Sequence, residues 1–78
     1  MNDGIEPTAK QKQIRRVLDF MRKNGEISQR EADSISVKRL AARISDMKRM
    51  GYAIGSRWVN GINQYGEKDR YKVYFLEV

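Results

Sequence analysis

The chain has 78 residues, enough for one small domain that buries only about 60% of its unfolded surface and has little core to spare for a deep pocket. It contains no cysteine and no histidine. That excludes a disulfide framework, a thiolate site, the commonest metal ligand and the side chain most used for general acid–base work. Sixteen Lys and Arg against ten Asp and Glu leave a net charge of +6, a balance that points first to nucleic acid and second to an anionic membrane surface.

Residues 1–7 hold Gly, Pro and two acids without periodicity and read as a flexible N-terminal leader, so the domain is taken as residues 8–78. Thr8-Ala9-Lys10-Gln11 then has the form of a capping box, with the Thr8 hydroxyl accepting from a free helix N–H while Gln11 reaches back. Pro7 just before the cap suits a chain entering a helix. Ile14, Val17, Leu18 and Met21 recur at helical spacing with Phe20 at the edge of their stripe, and Asn24-Gly25 stops the run. This predicts a first helix over about 9–23.

Glu26-Ile27 supplies at most one short strand. Ser28-Gln29-Arg30-Glu31 is a second capping box and predicts a short helix over 29–33. Ser34-Ile35-Ser36 favours a turn, with Ile35 as an apolar anchor and Ser36 as the cap of the next helix. That third helix is expected over about 37–50, ending at Gly51. Beyond it the period changes. Tyr52 to Val59 reads as a strand with Tyr52, Ile54 and Trp58 on one face, residues 60–69 as a polar turn-rich stretch, and Arg70 to Leu76 as the return strand.

The charge is segregated along this order. Residues 1–8 carry −2, 9–23 carry +5, 24–36 carry −2, 37–50 carry +4 and 51–78 carry +1. A surface built only for solubility mixes its signs more evenly. The excess falls on the first and third predicted helices.

A short capped helix, a turn and a longer basic helix make the helix-turn-helix unit. A hairpin with a polar tip behind it is what a winged helix adds. The predicted fold is therefore α+β, three helices followed by a β-hairpin wing. At 100° per residue, Val37, Leu40, Ala41, Ile44 and Met47 cluster within about 120° as the core stripe. Lys38, Arg39, Ala42, Ser45, Asp46 and Arg49 occupy the opposite side, Arg43 the boundary, and Lys48 points back toward the apolar side.

Long donors with a small residue between them suit a helix pressed into a major groove, where Arg or Lys can bond guanine O6/N7 and a small side chain permits close approach. A Lys/Arg-rich outer face can equally be solvated surface. Lys38 and Arg39 are the candidates for base or phosphate contact. Arg43 is divided between phosphate and an ion pair, and Asp46 is expected to partner an Arg.

On the first helix, Lys10, Lys12, Arg15, Arg16, Arg22 and Lys23 serve solubility or meet backbone phosphates. In the hairpin, Asn63, Gln64, Lys68, Arg70 and Lys72 are within reach of a minor groove or phosphates. Tyr65 is expected to pack, and Trp58, Tyr74 and Phe75 to fill the core. The DNA-binding set expected from the residues is thus Lys38, Arg39, Ala42, Arg43, Arg49, Lys68 and Arg70.

The stretch Ile35 to Ile54, with Arg39-Leu40-Ala41-Ala42-Arg43-Ile44, Asp46, Lys48, Arg49 and Gly51-Tyr52-Ala53-Ile54, resembles a helix-turn-helix domain family found in many small phage and prophage proteins. Ser28 to Ala32, Trp58 and Tyr65-Gly66 also match, so the resemblance covers about residues 12–76. It departs at Ser34, where the family usually has Gly before the Ile. The resemblance implies a winged helix-turn-helix domain that binds double-stranded DNA in the cytoplasm of a bacterial host.

The expected job is transcriptional regulation or an excisionase-like accessory role in recombination. The chain itself, as a dimer or a head-to-tail assembly on DNA, is a candidate partner. The alternative is a protein-interaction module that grips a host or phage protein. No enzyme, cofactor or metal site is expected, because no nucleophile–base constellation or ligand cluster can be named. No apolar run approaches the ~18 residues of a membrane span, and neither basic helix is apolar enough to insert into a membrane surface.

Overall fold

The computed structural model describes residues 8–77; the leader and Pro7 lie outside them. The elements run α1 (Ala9–Asn24), β1 (Ile27–Ser28), α2 (Gln29–Ser34), α3 (Leu40–Arg49), β2 (Ile54–Ile62) and β3 (Lys68–Leu76). The three strands form one antiparallel sheet in the order β1-β3-β2. Three helices and a hairpin were expected, and that is the architecture found.

The local signals act as they read. Gln11 N–H donates to Thr8 Oγ1 at 3.1 Å and Thr8 N–H donates to Gln11 Oε1 at 2.8 Å, closing the first capping box. Ile14, Val17, Leu18 and Met21 are the buried stripe of α1. At α2, both the backbone N–H and the hydroxyl of Ser28 donate to Glu31 Oε1. Gly51 ends α3 at φ +105°, a left-handed conformation that glycine adopts without a Cβ penalty. One cluster made of Ile14, Val17, Leu18, Met21, Ile27, Ala32, Val37, Leu40, Ile44, Met47 and Ile54 forms the core, with Phe20, Ile35, Tyr52, Tyr74 and Leu76 packed against it.

Several expectations are corrected, Tyr65 among them: expected to pack, it is 77% exposed. The third helix begins at Leu40, not at residue 37, and Ser36 is not its cap. Ser36 sits in the turn at φ +63°, and Val37 is fully buried with its N–H donated to Ala32 O at 2.8 Å. Val37 is an anchor of the turn, and its buried, bonded position holds the chain out of helical geometry until Arg39.

Ala41, placed in the core stripe by the angular count, is exposed. With Val37 removed from the helix, Leu40, Ile44 and Met47 define its buried side. Arg43 and Asp46 lie against α1, so α3 is seated between two neighbours and its free face turns toward Ala41, Ser45 and Lys48.

Trp58, expected in the core, is 57% exposed. The paired strands are nine residues each, about 30 Å long, in a molecule extending 52 × 26 × 20 Å. Only their base, around Ile54↔Leu76 and Ser56↔Tyr74, lies over the helices. A residue two steps further out has no helix to pack on. The expected ten-residue loop is correspondingly shorter: Asn60 and Gly61 pair with Arg70 and Asp69. The tip is closed by Asn63, whose N–H donates to Glu67 O and whose Oδ1 accepts from Tyr65 N–H and Glu67 N–H.

Candidate nucleic-acid interface

The presentation of α3 depends on a residue that belongs to α2. Gln29 Oε1 accepts the N–H of Leu40 at 3.0 Å, while its Nε2 donates to Val37 O at 3.0 Å and to Asp33 Oδ1 at 2.8 Å. The first N–H groups of a helix have no partner within it, and side-chain oxygens normally supply one. Arg39 occupies the cap position without a side-chain cap bond, and Gln29 does that work from across the turn. Its amide joins both sides of the helix–turn–helix and thereby sets where α3 points.

A second tie runs along the other side of α3. Asp46 is the helix's only acid, and its side chain is 11% exposed. Three cations surround it: Lys10 Nζ of α1 at 3.8 Å, Arg43 Nε at 3.1 Å, and Arg49. Arg43 also donates to Gln13 Oε1 of α1 at 3.4 Å. Burial alone would raise the Asp46 carboxyl. The hydrogen bond from Arg49 and the charges of Lys10, Arg43 and Arg49 outweigh it and hold the carboxyl below its ordinary value.

The exposed residues of the remaining face are Ala41, Ser45, Lys48 and the Asp46-bound Arg49, with Lys38 and Arg39 exposed just ahead of the helix. Small residues thus occupy the middle of the face and cations both of its ends.

The residues anticipated from sequence distribute unevenly around this face. Lys38 and Arg39 stand at its leading end. Ala42 is half-buried beside the α1 seam, and Arg43, with an 18% exposed side chain, is committed to Asp46 and Gln13. Arg49 is open to solvent but held by Asp46. Lys68 is exposed next to the hairpin tip, and Arg70 lies over the Trp58 ring, 4.8 Å from its centroid. Lys12, Arg15, Arg16, Arg22 and Lys23 of α1 are all exposed.

Ala41 and Lys48, expected toward the apolar side, are exposed, and Ser45 is exposed as expected. The contacts of Arg43 and Asp46 with α1, more than the helical count, decide which face of α3 is free.

Between the start of α3 and the hairpin lies a cleft lined by Gln29, Leu40, Ala41, Ile62 and Tyr71. Glu26, Glu31 and Asp69 also line it, together with Arg30 and Lys72, so the cleft carries charges of both signs. Tyr71 lies against Gly61, where an added Cβ would come within 3.2 Å of its ring. Among the described residues no group of three Asp, Glu, His or Cys could hold a metal ion, and no helix is long and apolar enough to cross a membrane.

The strand order β1-β3-β2, the α2–turn–α3 unit and the projecting β2–β3 hairpin are together the layout of a winged helix. No curated protein and no solved structure matches the chain. The family model described as "Winged helix-turn-helix domain" matches residues 12–78, most of the sequence, and the chain belongs to that family.

Proposed function

We propose that this domain binds double-stranded DNA in a sequence-specific way, with α3 in the major groove and the hairpin tip on the adjacent backbone or minor groove. One observation carries the reading. The free face of α3 presents Ala41 and Ser45 between cationic ends, while the only acid of the helix is turned away and neutralised by three cations. Phosphates flanking a groove attract the ends, and the small centre admits base edges.

In this reading Arg39 and Lys38 reach base edges or phosphates at the leading end. Lys48 and Arg49 meet phosphates at the trailing end, and Lys68 does so from the wing. Arg43 holds the helix in register through α1, with Ala42 beside it. The biological role that fits a small basic domain of this kind is a phage or prophage transcriptional regulator, or an accessory factor of recombination resembling an excisionase.

The test is selection of bound duplexes from a random pool. An enriched motif supports specific recognition, palindromic if the chain acts as a dimer and tandem if copies assemble head to tail. A pool that stays unenriched, together with a partner captured in the presence of heparin, would place the domain among protein-interaction modules instead.

A further inference from the structure

The hairpin carries a second surface, centred on Trp58, that the duplex reading uses only at Lys68. Alternation along the strands places Trp58, Asn60 and Ile62 of β2 on one side of the ribbon with Lys68, Arg70 and Lys72 of β3. The cross-strand pairs are Trp58↔Lys72, Asn60↔Arg70 and Ile62↔Lys68. None of these six residues is acidic, and three consecutive positions of β3 on this side are cations. Trp58 lies 57% and Ile62 72% exposed. The Arg70 guanidinium is 4.8 Å and the Lys72 ammonium 5.6 Å from the centre of the indole ring.

The opposite side of the ribbon carries Gly61, Asp69, Tyr71 and Val73, which line the cleft that leads to Ala41 and the start of α3, and Ile62 and Lys72 of the Trp58 side also border it. Trp58 and Arg70 are not part of that cleft. A duplex seated on α3 would therefore meet the tip and the cleft side, and the indole would look elsewhere.

We propose that the Trp58 face of the hairpin binds single-stranded nucleic acid. An exposed indole is a large apolar surface left in water, and Trp58 stays 57% exposed even with two cations beside its ring. Planar surface for unstacked bases beside a row of cations for the strand's phosphates is the combination single-strand binders use, and bases stack on arginine planes as well as on aromatic rings. Alternate residues of β3 are about 6.8 Å apart, so the three cations follow an extended strand. The row also decides against a second copy docking through the same face, because like charges would be brought together.

This proposal shares Lys68 with the duplex reading but not Trp58, so it is tested through the indole, separately from that reading. Trp58 is the only tryptophan, so its intrinsic fluorescence reports the face directly. The probe is an oligothymidylate of about a dozen nucleotides, within the site sizes of small single-strand binders. The expected result is saturable quenching that weakens as salt rises. Trp58→Ala, followed by anisotropy of a labelled oligomer, should lose between about five- and a hundredfold in affinity for it. Trp58→Phe should recover part of that loss, and duplex affinity should change less than about twofold in both variants.

Three results would overturn the proposal. An abasic oligomer that binds as tightly as the thymidylate would mean that phosphates alone are held. Poly-glutamate that quenches equally well would make an acidic polypeptide the occupant. Quenching that depends on protein concentration without any oligomer would point to a second copy. If Trp58→Ala lowers the melting temperature by more than a few degrees, Lys72→Gln, which keeps the ring and removes a cation, carries the comparison of oligomer affinity alone. An unchanged oligomer affinity in that variant would equally overturn the proposal.

Discussion

Replacing Gln29 with alanine should disable the helix–turn–helix without touching its core. The substitution removes the acceptor that satisfies the Leu40 N–H and the two donations to Val37 O and Asp33 Oδ1. Losing a helix cap costs about 0.5–2 kcal/mol. Each of the two other bonds contributes about 0.5–1.5 kcal/mol net, but Gln29 is exposed and water can replace part of them. A total of about 1–3 kcal/mol is expected, a large share of the stability of a domain this small.

At about 4–8 °C per kcal/mol for a domain of this size, the melting temperature should fall by roughly 5–20 °C. Circular dichroism melts at neutral pH would read it. Gln29→Glu is the informative companion. It retains an acceptor for Leu40 but sets a carboxylate against the Val37 carbonyl and the Asp33 carboxylate, so it should do no better than alanine. A melt of Gln29→Ala within a degree of the parent would show that α3 is not held from α2, and the account of its orientation would fail.

Ser36 adopts φ +63°, where a Cβ costs about 1–2 kcal/mol; after allowing for the flexibility of glycine in the unfolded chain, Ser36→Gly should raise stability by about 0.5–1 kcal/mol, while Ser36→Val should lower it. Thermal melts of the pair check the sign. The Asp46 carboxyl is held below its ordinary value, so its contribution is present above the unfolded carboxylate pKa near 4 and is lost as pH falls through the lower folded value. Asp46→Asn should therefore be less stable than the parent at neutral pH, and the gap should narrow under acid. Urea unfolding at several pH values measures this, and a gap independent of pH would mean the ion pairs with Lys10, Arg43 and Arg49 do not stabilise the fold.

Much of the fold was readable because its signals are local. The Thr8–Gln11 and Ser28–Glu31 caps act within four residues, the α1 stripe repeats within one helix, and Gly51 ends α3 through its own backbone. The misreadings share a cause in distance. The start of α3 is decided by Gln29, eleven residues before Leu40, so Val37 looked helical although its backbone is bound into the turn.

The angular count sets Ala41 beside the stripe because it carries no information on where α1 lies. Arg43 and Asp46 face α1 because Gln13 and Lys10 wait there, contacts separated by thirty or more residues. A small domain with few other large residues points to Trp58 as core, and neither composition nor alternation carries information about where a ribbon leaves the helical layer. The cation row Lys68, Arg70, Lys72 was visible in the sequence; its placement beside Trp58 required the register.

The central claim is that the Ala41–Ser45 face of α3 lies against duplex DNA. Ala41→Glu tests it most directly, because a carboxylate in the first turn suits the helix dipole and should leave the melting temperature unchanged, while it places negative charge where the groove is proposed to close. Fluorescence anisotropy on a labelled duplex, titrated across a range of salt, is the measurement. With roughly five phosphates contacted, the parent should show log K falling against log salt with a slope near −4.5, and Ala41→Glu should bind at least about tenfold more weakly at every salt. A parent whose affinity ignores salt, or an Ala41→Glu variant that binds as tightly as the parent, would contradict the assignment of α3 to the groove.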